Sequence, residues 1–139
     1  MSQTTLILLK PDCVEKKFCG NVISRFENAG YTLCAMKMLS LDKELLSKHY
    51  APYINESFYP KLEEFMLSGP VIAIVLSGEN VIAGVRAMLG PTDSTKAPAG
   101  TIRGDLGENN RVNVIHASDS PESAEAEVAR FFRPEEIVR

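Results

Sequence analysis

Thr5-Leu6-Ile7-Leu8-Leu9-Lys10-Pro11-Asp12 is the stretch on which the fold turns. An apolar run this short, bounded by Thr5 and by Lys10-Pro11, reads as a buried strand whose last residue carries a charge. Pro11 stops it, because proline has no N–H to give to a ladder. Asp12 with Glu15 three residues later has the form of a capping box. Val14, Phe18, Val22, Phe26 and Ala29 then recur at helical spacing until Gly30, with Gly20 expected to notch the helix.

The alternation of strand and helix continues outward from this unit. Residues 31–41 are apolar on both alternating faces, Leu33, Ala35 and Leu39 against Cys34, Met36 and Met38. That pattern predicts a strand covered on one side and partnered on the other, with Lys37 reaching an edge. Leu41-Asp42 opens a helix carrying Leu45, Leu46, His49, Tyr50 and Tyr53, and after a turn around Pro52 and Asn55 another carries Phe58, Leu62, Phe65 and Met66. Residues 71–76 form an unbroken apolar strand, and 79–89 a helix with Val81, Ile82, Val85, Met88 and Leu89 inward, broken by Gly90-Pro91. The last strand is expected over 112–116. Ser120-Pro121-Glu122 then supplies a cap residue, a proline at the first position and an acid in the first turn, ahead of a stripe of Ala124, Val128, Phe131 and Phe132. The result is an α/β or α+β sandwich, one sheet with helices packed on it. Residues 90–111, rich in glycine and proline and nearly without periodicity, make a loop so long that it is either functional or disordered.

At 139 residues and 45% hydrophobic, the chain is the size of one domain spanning 1–139. A domain of that size buries about 68% of its unfolded surface. The net charge of −3 argues against a general nucleic-acid binder, whose affinity comes from clustered basic charge. An anionic ligand must therefore meet a local basic pocket. Cys13, Cys19 and Cys34 are odd in number and lack C-x-x-C spacing, so free thiols in a reducing cytoplasm are expected. No signal-peptide pattern and no apolar stretch near 18 residues is present, which predicts neither secretion nor membrane spanning.

Chemistry converges on Asn113-Val114-Ile115-His116-Ala117-Ser118-Asp119, where one histidine ends an apolar run. Neutral imidazole is nucleophilic near physiological pH. A hydrogen-bonded structural histidine is the ordinary finding at such a place, so the reading needs partners. The long loop supplies Thr92, Lys96, Thr101, Arg103 and Asp105, with Arg86 on the helix before it. Hydroxyls, guanidinium groups and glycines are what a phosphate pocket needs. Lys10, directly ending an aliphatic strand, adds a charge that is hard to leave on a solvated face. G-x-x-x-x-G-K-[ST], G-x-G-x-x-G after a strand and G-x-S-x-G are all absent. His49 and His116 are the only histidines and form no H-x-x-x-H array, which disfavours a dedicated metal site. His49 reads as packing or surface, and Glu122, Glu125 and Glu127 could each orient the His116 ring.

Leu9-Lys10-Pro11-Asp12, Arg25-Phe26-Glu27, His49-Tyr50, Phe65-Met66-Leu67-Ser68-Gly69-Pro70-Val71, residues 84–90, Gly100-Thr101-Ile102-Arg103-Gly104-Asp105 and His116-Ala117-Ser118-Asp119-Ser120 together resemble the nucleoside diphosphate kinase family, over essentially the full chain. The resemblance implies a ferredoxin-like sandwich around a four-stranded antiparallel sheet covered by helices. It implies a phosphotransferase in which His116 takes the γ-phosphoryl group of a nucleoside triphosphate and passes it to a diphosphate in two ping-pong steps. By matching position, Lys10 meets the transferred phosphate with Tyr50 nearby; Arg86, Thr92 and Arg103 hold the diphosphate; Asn113 and Lys10 contact the sugar; Phe58 stacks the base. Glu127 would bond the other nitrogen of His116, and Ser118 would brace Glu127. Mg2+ would arrive bound to the nucleotide, the partners being nucleoside di- and triphosphates, and the assembly a homo-oligomer, hexamer or tetramer.

Three positions depart from the family pattern. Ala117 and Cys13 stand where glycine is usual, and Asn110 stands where an aliphatic residue forms the second wall of the base slot. If the glycine before Ser118 serves a positive φ, Ala117 would cost about 1 kcal/mol. The departures motivate one alternative, a catalytically silent nucleotide-binding regulatory module on the same fold. An RNA-binding domain of this class would need exposed aromatics on central strands, and these are aliphatic.

Overall fold

Leu6, Ile7, Leu8 and Leu9 are completely buried, and they lie in β1 (Ser2–Leu9) beside the centre of the sheet. The computed structural model describes residues 2–138. Its sheet has the order β2 (Thr32–Leu39), β3 (Val71–Glu79), β1, β4 (Ile115–Ala117), and every neighbouring pair is antiparallel. This is a four-stranded antiparallel sheet, as the family resemblance implies.

Both faces of the sheet are covered, which is why the aliphatic runs do not alternate with polar residues. Ile7, Leu9, Ile74, Leu76, Ile115 and Ala117 pack on one side with Val22 and Phe26 of α2 (Cys19–Asn28) and Val85 and Leu89 of α5 (Val81–Leu89). Leu6, Leu8, Ala73 and Val75 pack on the other with Leu46 of α3 (Lys43–His49), Met66 of α4 (Tyr59–Met66) and Phe131 of α7 (Pro121–Phe131). Burying each such Leu, Ile or Phe side chain contributes about 1.5–3 kcal/mol.

Several local readings are corrected. The helix expected from residue 14 to 29 is two, α1 (Pro11–Glu15) and α2, parted not at Gly20 but at Lys17, whose φ is 64°. Asp12 does not cap a helix: Lys10 occupies the N-cap position, without a side-chain capping bond. β2 is an edge strand with a bulge between Leu33 and Ala35, so Met36 and Met38 are left exposed rather than covered. Lys37 does reach the edge, where its ammonium lies 4.7 Å from the Phe132 ring centre and pairs with Glu136. The long loop is ordered by a 3-10 turn at Ser94–Lys96 and by α6 (Ile102–Leu106). A β-carbon on Gly104 would collide with the Pro98 carbonyl, so the loop's close folding requires glycine there. Ser120 caps α7 by accepting the Ser123 N–H at 3.1 Å, as its sequence predicts.

Candidate active site

The two-residue period of β4 aims His116. Ile115 and Ala117 point into the core on one side of the sheet, so His116 between them turns to the other. There it sits opposite Leu8 in the β1–β4 register, and Lys10, two residues beyond Leu8, leaves the sheet on that same side. One strand end thus delivers the nucleophile candidate and its neighbour delivers the ammonium.

The backbone before His116 is strained. Val114 has φ of 65°, and Ile115 N–H donates to Asn113 C=O at 2.8 Å, the rare γ-turn with positive φ. A β-branched residue there costs on the order of 1–3 kcal/mol and persists only where surroundings enforce it. Here Asp12 Oδ2 accepts the Val114 N–H at 3.0 Å, and Lys10 N–H donates to Val114 C=O at 2.8 Å. The expected strand over 112–116 is cut to three residues by this turn, which swings Asn113 toward Lys10. Asp12→Ala is expected to destabilise the fold by about 1–3 kcal/mol, the cost of an unpaired buried N–H. Chemical denaturation with an unchanged slope would measure it.

Among the three candidate glutamates the structure selects one. Glu127 Oε1 lies 3.0 Å from His116 Nε2, whereas Glu122 and Glu125 are exposed. Ser118, fully buried, donates to the same oxygen at 2.7 Å and accepts the Leu6 N–H at 3.2 Å. Burial opposes ionisation of Glu127, yet the hydrogen bonds from His116 and Ser118 hold its carboxyl below the usual range. An ionised Glu127 accepts from Nε2–H, which leaves Nδ1 of His116 with the free lone pair.

His49 belongs here, which corrects its reading as packing or surface. Its ring stands edge-on to His116 with centroids 4.6 Å apart, and Nδ1 lies 3.2 Å from Arg130 Nη1. Burial, with His116 adding to it, pushes its pKa down to about 3, so His49 is a neutral ring bracing His116. Adjacency to Tyr50 on one short helix was the available signal; its side of the helix was not legible without the packing. His49, His116 and Glu127 also place donor atoms within 4.8 Å of one another. The committed hydrogen bonds and the cations alongside oppose a metal ion among them.

Those cations are held by backbone carbonyls. Arg103, buried inside α6, donates to Ile115 C=O at 2.7 Å and to Gly90 C=O at 3.3 Å; Arg86 donates to Ala117 C=O at 3.0 Å. Lys10 Nζ donates to Asn113 Oδ1 at 2.7 Å. Burial, then the neighbouring Arg103, brings Lys10 down to about 7, and burial with Arg86 brings Arg103 down to about 10. Among the described residues no carboxylate is hydrogen-bonded to any of the three, and Asp12, whose charge is felt by Lys10, is the nearby anion that offsets part of the cluster's positive charge. Burial raises the Tyr50 phenol above its ordinary range and keeps it a neutral donor.

All these groups open into one cleft of about 640 Å³. Lys10, Tyr50, Phe58, Arg86, Thr92, Arg103, Asn113, His116 and Glu127 line it, while Ser118 stands behind Glu127. Asn113 is buried and donates to Thr92 C=O at 2.9 Å, tying β4's approach to the long loop. Phe58 and Tyr53 are both exposed at the mouth, ring centres 5.9 Å apart. Asn110 lines the same cleft.

A model of the nucleoside diphosphate kinase family matches residues 3–137. The chain belongs to the nucleoside diphosphate kinase family. It is 49% identical to the nucleoside diphosphate kinase of Rhodopirellula baltica over 97% of this chain and 89% of that one, and 53% identical to that of Streptomyces avermitilis over 95% and 97%. Among solved structures, the Aquifex aeolicus nucleoside diphosphate kinase superposes with a TM-score of 0.95 at 42% identity, covering 99% of this chain and 100% of that one. A Halobacterium salinarum nucleoside diphosphate kinase in complex with CDP gives 0.97 at 36%, covering 100% and 93%. The chain is accordingly a nucleotide-dependent phosphotransferase, moving the γ-phosphoryl group of a nucleoside triphosphate to a diphosphate.

Two departures from the family pattern are harmless in this setting. Ala117 lies in extended β4 and Cys13 in helical α1; neither has a positive φ, so neither β-carbon strains the backbone. The approximate 1 kcal/mol cost foreseen for Ala117 does not arise. The donor set also bears on the Mg2+ that family membership implies. A protein-held Mg2+ needs several oxygen ligands in octahedral array. In the described cleft Glu127 is committed to His116 and Ser118, leaving Asp119 as the uncommitted carboxylate. The cleft therefore lacks the oxygen ligands to cage a Mg2+ ion, and such an ion would fit only if carried in by nucleotide phosphates, with Asp119 the carboxylate free to assist.

Proposed function

We propose that His116 Nδ1 is the nucleophile of a two-step exchange. The supporting observation is the Nε2–Glu127 bond, which fixes the tautomer and leaves Nδ1 free on a cleft wall shared with Lys10, Arg86 and Arg103. Nδ1 attacks the γ-phosphorus, the bond to the β–γ bridging oxygen breaks, and the diphosphate leaves with that electron pair. Glu127 balances the positive charge then carried by the phosphorylated ring. In the return step an oxygen of a second diphosphate attacks the same phosphorus and the N–P bond breaks. One phosphoanhydride replaces another, so the demand is electrostatic rather than thermodynamic. Lys10, Arg86 and Arg103 meet it with charge already in place, Thr92 and Tyr50 donate hydrogen bonds, and Asn113 and Lys10 serve the sugar hydroxyls. Mg2+, carried in with the nucleotide, would supply further neutralisation of the phosphate charge.

Incubation with γ-labelled ATP tests this reading. An acid-labile, alkali-stable label on His116 is the expected result; an unlabelled protein would remove the mechanism.

Phe58 offers its ring face to the base, and stacking tolerates every base. Asn110, polar where an aliphatic wall is usual, weakens the other side of that slot. Asn110→Val is expected to tighten diphosphate binding by about two- to tenfold, the value of one small apolar contact. Affinities unchanged for every base by calorimetry would count against the slot.

The exposed Met36 and Met38 on edge strand β2 support a homo-oligomer, hexamer or tetramer, because an unpaired apolar edge is normally covered. Three free thiols support a reducing, cytoplasmic setting. No described helix is long and apolar enough to cross a membrane.

A further inference from the structure

Cys13 and Cys19 face each other across the break between α1 and α2, with Sγ 3.9 Å from Sγ. A disulfide needs about 2.0 Å between sulfurs, so an approach of roughly 2 Å closes the gap. The segment between them is not a rigid helix. It turns at Lys17, φ 64°, and is held by single backbone bonds from Phe18 N–H to Cys13 C=O and from Lys17 N–H to Val14 C=O. Cys13 is fully buried and Cys19 partly exposed, so a reagent from solvent meets Cys19 first. Cys34 lies apart on β2, 3.4 Å from Ser77 Oγ.

We infer that Cys13 and Cys19 form an oxidation site, a dithiol that closes to a reversible intramolecular disulfide between α1 and α2. The co-reactant is a low-molecular-weight disulfide. Cys19, deprotonated, attacks one of its sulfurs; that S–S bond breaks and the first small thiolate leaves, taking up a proton. Cys13 then attacks Cys19 Sγ, displaces the second small thiolate and gives up its own proton. Two protein thiols are oxidised and one small disulfide is reduced to two thiols.

The bond also reaches the cleft. Cys13 adjoins Asp12, whose carboxylate holds strained Val114, and α1 is only five residues long and begins right after Lys10. Drawing Cys13 toward Cys19 therefore pulls on the anchor of Asn113 and on the position of Lys10. This second consequence rests on the phosphotransfer reading; the thiol chemistry does not.

The test incubates the protein with excess oxidised glutathione at about pH 8.5 for many hours, because burial raises both thiols above their ordinary range and slows the reaction. Alkylation and peptide mass measurement follow. The Cys13 and Cys19 peptides should be joined, lighter by two hydrogens and closed to alkylation, with Cys34 still alkylated and dithiothreitol reversing the change. Cys19→Ser, a near-isosteric change at a position that packs against the core yet is partly exposed, should abolish the bond, and Cys34→Ser should not. Alkylation of Cys13, or a stable mixed disulfide left on Cys19, overturns the proposal whatever the activity. Exchange by the oxidised protein should fall at least about tenfold, since a 1 Å misplacement can cost that and more. A disulfide that forms without changing the rate overturns the link to the cleft. Absence of exchange in the fully reduced protein would instead strike the function reading and leave the thiol result standing.

Discussion

His116→Ala is expected to lower phosphoryl exchange about ten-thousand-fold or more while diphosphate binding changes only a few-fold. Removing a covalent nucleophile eliminates a pathway rather than one stabilising contact, so the loss is not graded. No neighbour can take over. His49 is the only other histidine, and it is neutral, buried, and commits Nδ1 to Arg130. On the proposed reading, diphosphate affinity comes instead from Lys10, Arg86, Thr92 and Arg103, and none of these is hydrogen-bonded to the His116 ring. A coupled exchange assay and calorimetry with a nucleoside diphosphate separate the two quantities. Because His49 packs edge-on against His116, the alanine variant also tests whether that contact shapes the cleft. Binding weakened a hundredfold would mean that His49 collapses into the vacated space, and His116→Asn, which keeps more of the volume, should then restore affinity without restoring exchange. Substantial exchange in either variant would end the assignment of the nucleophile.

The sheet was legible because its strands are buried on both faces. Residues 6–9 and 71–76 must be extended if every second side chain meets a different core, and Leu6 and Leu8 do enter one core while Ile7 and Leu9 enter the other. The α7 start was equally plain, since Ser120, Pro121 and Glu122 each solve a separate problem of a helix N-terminus. What was not legible arose where a tertiary partner overruled a local signal. Asp12 has the spacing of a capping residue, but a strained N–H at Val114, distant in sequence, claims its carboxylate. Lys17 takes a left-handed conformation that nothing in its side chain requests, and that break sets Cys13 against Cys19. Met36 and Met38 read as core because hydrophobicity alone does not say whether a strand is at an edge. The site followed the same division. His116 and Lys10 are placed by strand parity, which sequence gives, whereas the choice of Glu127 over Glu122 and Glu125, and the recruitment of His49, depend on how α7 and α3 pack across the sheet.

Lys10→Met is expected to slow exchange about a hundred- to a thousandfold, the usual loss when one preorganised donor to a developing charge is removed. It should also remove a pH dependence. Burial and Arg103 bring Lys10 to about 7 in the free protein, so it is charged below that pH and increasingly neutral above it. An anionic phosphate beside the amine favours the charged form and raises its pKa in the complex. Diphosphate binding should therefore weaken as pH rises above about 7, by up to about tenfold per unit until the pKa of the complex is reached, with uptake of about one proton. The nucleotide's own phosphates are already ionised in that range and contribute little. Calorimetry at about pH 8 in two buffers of different ionisation heat reads the proton directly. The stability of the free protein should move the opposite way. The folded pKa lies below the unfolded 10.5, so the unfolded chain holds more protons between about 7 and 10.5, and Lys10 makes folding less unfavourable as pH rises through that window. Lys10→Met should flatten both curves together. If the variant still took up a proton on binding diphosphate, the titrating group would lie elsewhere in the cluster, and the charge that meets the transferred phosphate could no longer be assigned to Lys10.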